Sequence, residues 1–147
     1  MLNMRNLIGI FLFSILSLGL TIKKNSLKST NNEGIKFKHI SLNEAKIEAN
    51  KTKKIIFIDA YTSWCGPCKK MAATSFQDPK VSEIYNSKFI NLKVDMEKDS
   101  DGIEIAKMYK VQAYPTLLYI DGDGKLIKSI VGFQTSDRLI SVASSLE

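Results

Sequence analysis

The run "KIIFI", Lys54 to Ile58, most limits what this chain can fold into. Its branched and aromatic residues follow one another without the polar alternation of a half-exposed strand. A strand of that kind must be covered on both faces, which a parallel or mixed sheet with helices on each side achieves. The flanking segments supply those helices. "SLNE", Ser41 to Glu44, is a capping box, with a hydroxyl to receive the backbone NH three residues on and a glutamate to reach back, so a helix should run from there to about Asn50. "GPCKKMAATSF" should form a second helix, interrupted at Asp78-Pro79, where aspartate can cap and proline can open a further helix bearing Val81, Ile84 and Tyr85 on one face.

Two alternating segments read as further strands. "FINLKVD", Phe89 to Asp95, alternates Ile90, Leu92 and Val94 with polar residues, and "IKFKHI", Ile35 to Ile40, has the lysine-bearing pattern of an edge strand. His39, the only histidine, falls on that edge with no acidic or cysteine cluster beside it and reads as a surface residue rather than a ligand or base. After a helix carrying Ile105, Met108 and Tyr109, "YPTLLYI" and "KLIKSIV" make two strands joined through the turn "DGDG", and a last helix opens near Thr135 or Ser136. The order is β-α-β-α-β-α-β-β-α, an α/β domain with a central mixed sheet and helices on both faces.

Residues 1–22 stand apart. Arg5 precedes an apolar block from Leu7 to Ile22, the pattern of a secretory signal or an uncleaved membrane anchor. The polar stretch 23–34 reads as a flexible linker, leaving 35–147 as the folded domain. The formal charge of +6 is spread along the chain without a nucleic-acid-binding motif, so it describes a solvated surface rather than a phosphate-binding track.

Both cysteines of the chain, Cys65 and Cys68, lie just beyond the buried strand in "WCGPCK". A zinc site needs about four ligands, and one distant histidine cannot complete it. Haem attachment needs a histidine directly after the second cysteine, where this chain has Lys69. A structural bridge would close so short a loop that it stabilises little. Thiol–disulfide exchange is favoured over it, because one thiolate can attack a target disulfide and its neighbour can resolve the mixed intermediate. Cys65 should sit at the amino end of the following helix, where unpaired NH groups and the nearby Lys69 and Lys70 favour its thiolate. Cys68 should be the less accessible, resolving thiol. Asp59, at the end of the buried run, is placed either to exchange a proton with Cys68 from a desolvated position or to reach solvent at the strand end.

"WCGPCK" after a buried strand, with "YPT" some fifty residues on, resembles the thioredoxin family. The resemblance spans Ile35 to the C-terminus and implies a thioredoxin-like fold, a buried acid at Asp59, and a cis peptide before Pro115 facing the dithiol. It also implies a substrate groove formed by Trp64, Gly66, Pro67, Tyr114, Pro115, Val131, Gly132 and Phe133, although a core position for Trp64 is the alternative. A lysine that cytosolic members often carry near the buried acid falls here on Asn91, and Lys93 on the same strand face could replace it. "TSFQDPKV" is more similar to extracytoplasmic thioredoxin-like domains, including the C-terminal domain of thiol:disulfide interchange proteins. Together these features imply a monomeric, extracytoplasmic protein-disulfide reductase, periplasmic or secreted. It would need neither metal nor other cofactor, and would act on protein disulfides and draw electrons from a thiol–disulfide protein, such as a membrane-embedded one. The alternatives are a disulfide oxidase or isomerase, and a non-enzymatic peptide-holding module of the same fold.

Overall fold

The computed structural model describes residues 33–146, so the leader and most of the expected linker lie outside the described residues. Four strands form one sheet, β1 (Ile55–Tyr61), β2 (Phe89–Asp95), β3 (Thr116–Ile120) and β4 (Leu126–Val131), in the order β2-β1-β3-β4. β1 pairs parallel with β2 and antiparallel with β3, and β3 pairs antiparallel with β4. The long apolar run therefore takes the inner position its composition demands, with Ile56, Phe57 and Ile58 fully buried. Helices α1 (Leu42–Thr52) and α4 (Gly102–Met108) cover one face, packing Leu42, Ala45, Ala49 and Ile105 against Ile56, Ile58 and Leu92. On the other, α2 (Gly66–Ala73), α3 (Pro79–Lys88) and α5 (Ser136–Ser144) enclose an aromatic core around Phe57, Phe76, Tyr85, Phe89 and Tyr119.

The expected helix starts are realised atom by atom. Ser41 and Glu44 form the reciprocal capping box, and the Asp78 carboxylate accepts the Lys80 and Val81 NH groups ahead of Pro79. Each such cap is worth about 1 kcal/mol.

The first expected strand is corrected. Residues 35–40 make a single parallel bridge, Lys38 to Leu92, instead of a strand. In place of a ladder the segment is held by two isolated backbone bonds, Ile35 NH to the Phe76 carbonyl and Lys38 NH to the Asn91 carbonyl, both 2.8 Å, and by side chains. Asn86 Oδ1 accepts the Lys36 NH at 2.8 Å, and Asn91 Nδ2 reaches the carbonyls of Tyr85 and Lys36 at 3.2 and 3.4 Å. Gly34, assigned by composition to the linker, is packed into the domain: a Cβ there would come within 2.4 Å of the Phe76 carbonyl oxygen. Among the described residues no helix is long and apolar enough to cross a membrane.

Candidate active site

The carboxyl ends of β1, β2 and β4 and the amino end of β3 all lie at one end of the sheet, because β1 runs parallel to β2 and antiparallel to β3, which in turn opposes β4. The cysteine pair, Trp64, the Tyr114–Pro115 bond and residues Val131 to Phe133 lie there. Cys65 is the N-cap of α2: its extended backbone leaves the strand, its carbonyl accepts the Lys69 NH at 3.2 Å, and its sulfur accepts the Cys68 NH at 3.2 Å. Pro67 occupies the first turn, where its missing NH breaks no helical bond.

Cys65 and Cys68 are joined as a disulfide, with their Cα atoms 5.3 Å apart. Cys68 is the less accessible of the two, as expected, but the margin is small in this state. Cys65 is 3% exposed and Cys68 1%, because the bond draws the outer sulfur toward its partner on the inner side of the helix while Gly66 and Pro67 face solvent. The two thiols are thus distinguished by their places on the helix more than by accessibility.

Asp59 is buried completely and does not reach solvent at the strand end. It alternates with Phe57 and so faces the α2 side of the sheet. Across the β1–β2 pair its register partner is Lys93, whose Nζ donates to Asp59 Oδ2 at 3.0 Å. Asp59 Oδ1 has no hydrogen-bond partner. Burial pushes the Asp59 carboxyl above the ordinary carboxylate range, and the Lys93 ammonium opposes that shift. Lys93 is itself enclosed by aromatic faces, with Nζ 4.5 Å from the Tyr61 ring centroid, 5.6 Å from Phe37 and 5.8 Å from Phe76. Asn91 is engaged in the packing of residues 34–36, so Lys93 is the basic partner of the buried acid in this chain.

The groove residues surround the dithiol end. Trp64 is 65% exposed, so it is not core, and its ring meets Tyr114 edge to face at 6.0 Å. The Tyr114–Pro115 bond is cis, as the resemblance implies. The Pro115 carbonyl accepts the Gly132 NH at 2.7 Å, a contact that uses the positive φ of +90° at Gly132. Val131 stands exposed at the end of β4, and the Phe133 ring receives Lys70 Nζ at 5.0 Å.

Sequence reasoning missed Glu97, whose Oε2 accepts the Trp64 indole NH at 3.0 Å. The signal was available in the parallel pairing: residues just after β1 and just after β2 must emerge side by side. It also missed the buried hydroxyl pair Tyr85 and Tyr119, 2.7 Å apart beneath α5.

Comparison with known proteins accords with this architecture. The family described as "Thioredoxin-like domain" matches residues 42–146. Thioredoxin-1 of Drosophila melanogaster is 36% identical over 73 residues, covering 50% of this chain and 63% of its own length. The thiol:disulfide interchange protein DsbD of Haemophilus ducreyi is 31% identical over 101 residues, 67% of this chain but only 17% of that protein. The chain therefore spans under two thirds of each of these relatives. In three dimensions it is similar to a candidate disulphide isomerase from Bacteroides thetaiotaomicron, with 38% identity, a TM-score of 0.67, and coverage of 78% of this chain and 96% of the other. A helix-capping cysteine pair beyond an inner strand, a cis proline at the same sheet end, and a family match over most of the folded residues lead to one conclusion: the chain belongs to the thioredoxin-like domain family.

Proposed function

We propose that this protein is an extracytoplasmic thiol:disulfide oxidoreductase that reduces disulfide bonds in other proteins. The observation that carries the reading is the cysteine pair itself, closed as a disulfide at the head of α2 with Cys65 Sγ as the capping acceptor of the Cys68 NH. That arrangement suits a sulfur that bears negative charge once reduced. In the reduced protein the Cys65 thiolate attacks one sulfur of a substrate disulfide, the other substrate sulfur leaves, and a mixed disulfide forms. Cys68 then loses its proton and attacks Cys65 Sγ, the second substrate thiolate departs, and the Cys65–Cys68 bond closes. Two electrons pass to the substrate. Asp59, desolvated and with one oxygen unengaged, is the group to take the Cys68 proton. Trp64, Gly66, Pro67, Tyr114, Pro115, Val131, Gly132 and Phe133 hold the substrate segment.

The apolar leader supports a place outside the cytoplasm, and there the dithiol must be restored by an electron-donating thiol–disulfide protein. The Gly-Pro interior matches thioredoxin, whose potential is about −270 mV, and so supports reduction. The test is a Cys68→Ser variant, which should accumulate substrate proteins bound through Cys65, combined with measurement of the dithiol potential. A potential well above about −200 mV would reject reduction. The similarity to the Bacteroides candidate isomerase favours shuffling as the second reading. If the Cys68→Ser variant still turns over a scrambled disulfide substrate at the parental rate, that reading replaces the first. If Cys68→Ser captures nothing and replacing both cysteines leaves the biological activity intact, a peptide-holding module replaces both.

A further inference from the structure

The groove carries a pattern that the exchange reaction does not require. Two of its aromatic rings are each clasped by a charged side chain, and the two charges have opposite sign. Glu97 holds the Trp64 indole through a 3.0 Å hydrogen bond, and Lys70 lies 5.0 Å from the Phe133 ring centroid. Topology sets Glu97 and Phe133 apart. Glu97 follows β2 and Phe133 follows β4, the two outer strands, whereas Cys65 follows β1 and Pro115 precedes β3, the two inner ones.

Both side chains spring from ordered backbone. The Glu97 NH donates to Asp95 Oδ1 at 3.1 Å, and the neighbouring Met96 NH donates to the Tyr61 carbonyl at 2.9 Å, so the backbone that presents the carboxylate is fixed on the sheet. Lys70 stands on α2, two residues past Cys68, and the Phe133 backbone follows the Gly132 contact to Pro115. Four strands at the usual spacing place the outer two about 14 Å apart, a distance that about four extended residues span. A target cysteine held at the centre therefore brings residues about two positions to either side toward Glu97 on one side and the Lys70–Phe133 pair on the other.

Accepting the oxidoreductase reading on which this rests, we propose that Glu97 and Lys70 are specificity-determining residues of a charge-polarised groove. They select a substrate segment with a basic side chain about two positions to one side of its reactive cysteine and an acidic one about two positions to the other. Trp64 and Phe133 supply flat apolar surfaces for the stems of those side chains, and the charges fix which way the segment lies.

The test uses synthetic peptides with one cysteine joined by a disulfide to 2-mercaptoethanol. Each peptide carries a single lysine or a single glutamate two positions before or after that cysteine, and an all-alanine peptide serves as reference. The pre-reduced protein transfers its two electrons to this disulfide, releasing the peptide thiol and mercaptoethanol while Cys65 and Cys68 oxidise. Exposed charge pairs are worth up to about 1 kcal/mol, so lysine should accelerate reduction about three- to fivefold on one side of the cysteine and glutamate on the other. Glu97→Gln, which keeps an acceptor for the indole, should abolish the lysine preference alone, and Lys70→Gln the glutamate preference alone. Lys69 and Lys98, also exposed, stay unchanged throughout. Both preferences should fade in molar salt. Equal rates for all peptides, or preferences that survive both substitutions, overturn the proposal while leaving the oxidoreductase reading intact. Failure of the wild-type protein to reduce any peptide counts instead against that reading.

Discussion

Replacing Lys93 by methionine removes the one cation hydrogen-bonded to Asp59 while keeping a stem of similar length among Phe37, Tyr61 and Phe76. The carboxylate left behind is fully buried, and Oδ1 already lacks a partner. Breaking a buried ion pair by deleting one member costs about 3–5 kcal/mol. Lys93 is 25% exposed, so solvent already screens part of the attraction, and a loss of about 2–3 kcal/mol near neutral pH is the working figure. Asp59 can limit that loss by binding a proton. Burial raises its folded pKa above the unfolded value and Lys93 opposes the rise, so the variant should hold its proton to higher pH.

A carboxyl whose folded pKa is raised contributes stability that is complete below the unfolded pKa and is lost as pH climbs through the folded pKa. The deficit of Lys93→Met should therefore be small in mild acid and grow with pH, by at most about 1.4 kcal/mol per unit, until Asp59 is ionised in both proteins. Urea unfolding of the oxidised proteins at about pH 5 and about pH 8 measures this, with equal m-values as the condition for comparing midpoints. The pH profile for resolution of a mixed disulfide should move to higher pH in the same variant. A deficit equal at both pH values, or an unmoved profile, refutes the coupling of Lys93 to the Asp59 proton.

Asp59→Asn should stabilise the protein above the carboxylate range, because it deletes the same pH-dependent loss, yet slow the Cys68 step about tenfold or more, read as a longer-lived mixed disulfide. The tyrosine pair should respond unequally to loss of a hydroxyl. Tyr85 OH donates to the Leu139 carbonyl at 3.1 Å, so Tyr119 OH must be the donor in the 2.7 Å contact between them. Tyr119→Phe then removes one hydrogen bond, about 1 kcal/mol, whereas Tyr85→Phe also strands the Tyr119 donor and should cost about 2–4 kcal/mol. The double variant should be no less stable than Tyr85→Phe alone, and additive losses in denaturant titrations would contradict the direction of the chain. Burial pushes the Tyr85 hydroxyl up to about 12 and Tyr119 higher still, so neither should ionise in an absorbance titration below about pH 11. Gly132→Ala meets no atom within 4 Å, but the +90° φ there makes it cost about 1–2 kcal/mol in unfolding experiments; an unchanged stability would show that the loop yields freely.

How far these groups could be read from the sequence depended on the range of the interaction that places them. Ser41 with Glu44, and Asp78 with Pro79, are local devices, satisfied within one helical turn, and the chain displays them directly. The apolar run at Ile56 to Ile58 announced an inner strand because no other position covers both faces. Residues 35–40 carry the alternation of a strand but make only the Lys38–Leu92 bridge, since the Asn86 and Asn91 side chains and the Phe76 carbonyl satisfy the backbone at Ile35 and Lys36 in place of a ladder. Alternation reports which side chains want burial and is silent about which partner takes the NH groups. Glu97 shows the same limit at the candidate site, whereas Lys93 was legible through the family resemblance as the stand-in for a lysine near Asp59. What gives each its place is the parallel register of β1 against β2, which sets Lys93 opposite Asp59 and brings the residues after β2 beside those after β1. A local motif could locate the sulfurs, because their chemistry needs only a helix start. Glu97, which holds the Trp64 indole, is presented from beyond another strand, so it emerges only when the sheet is assembled.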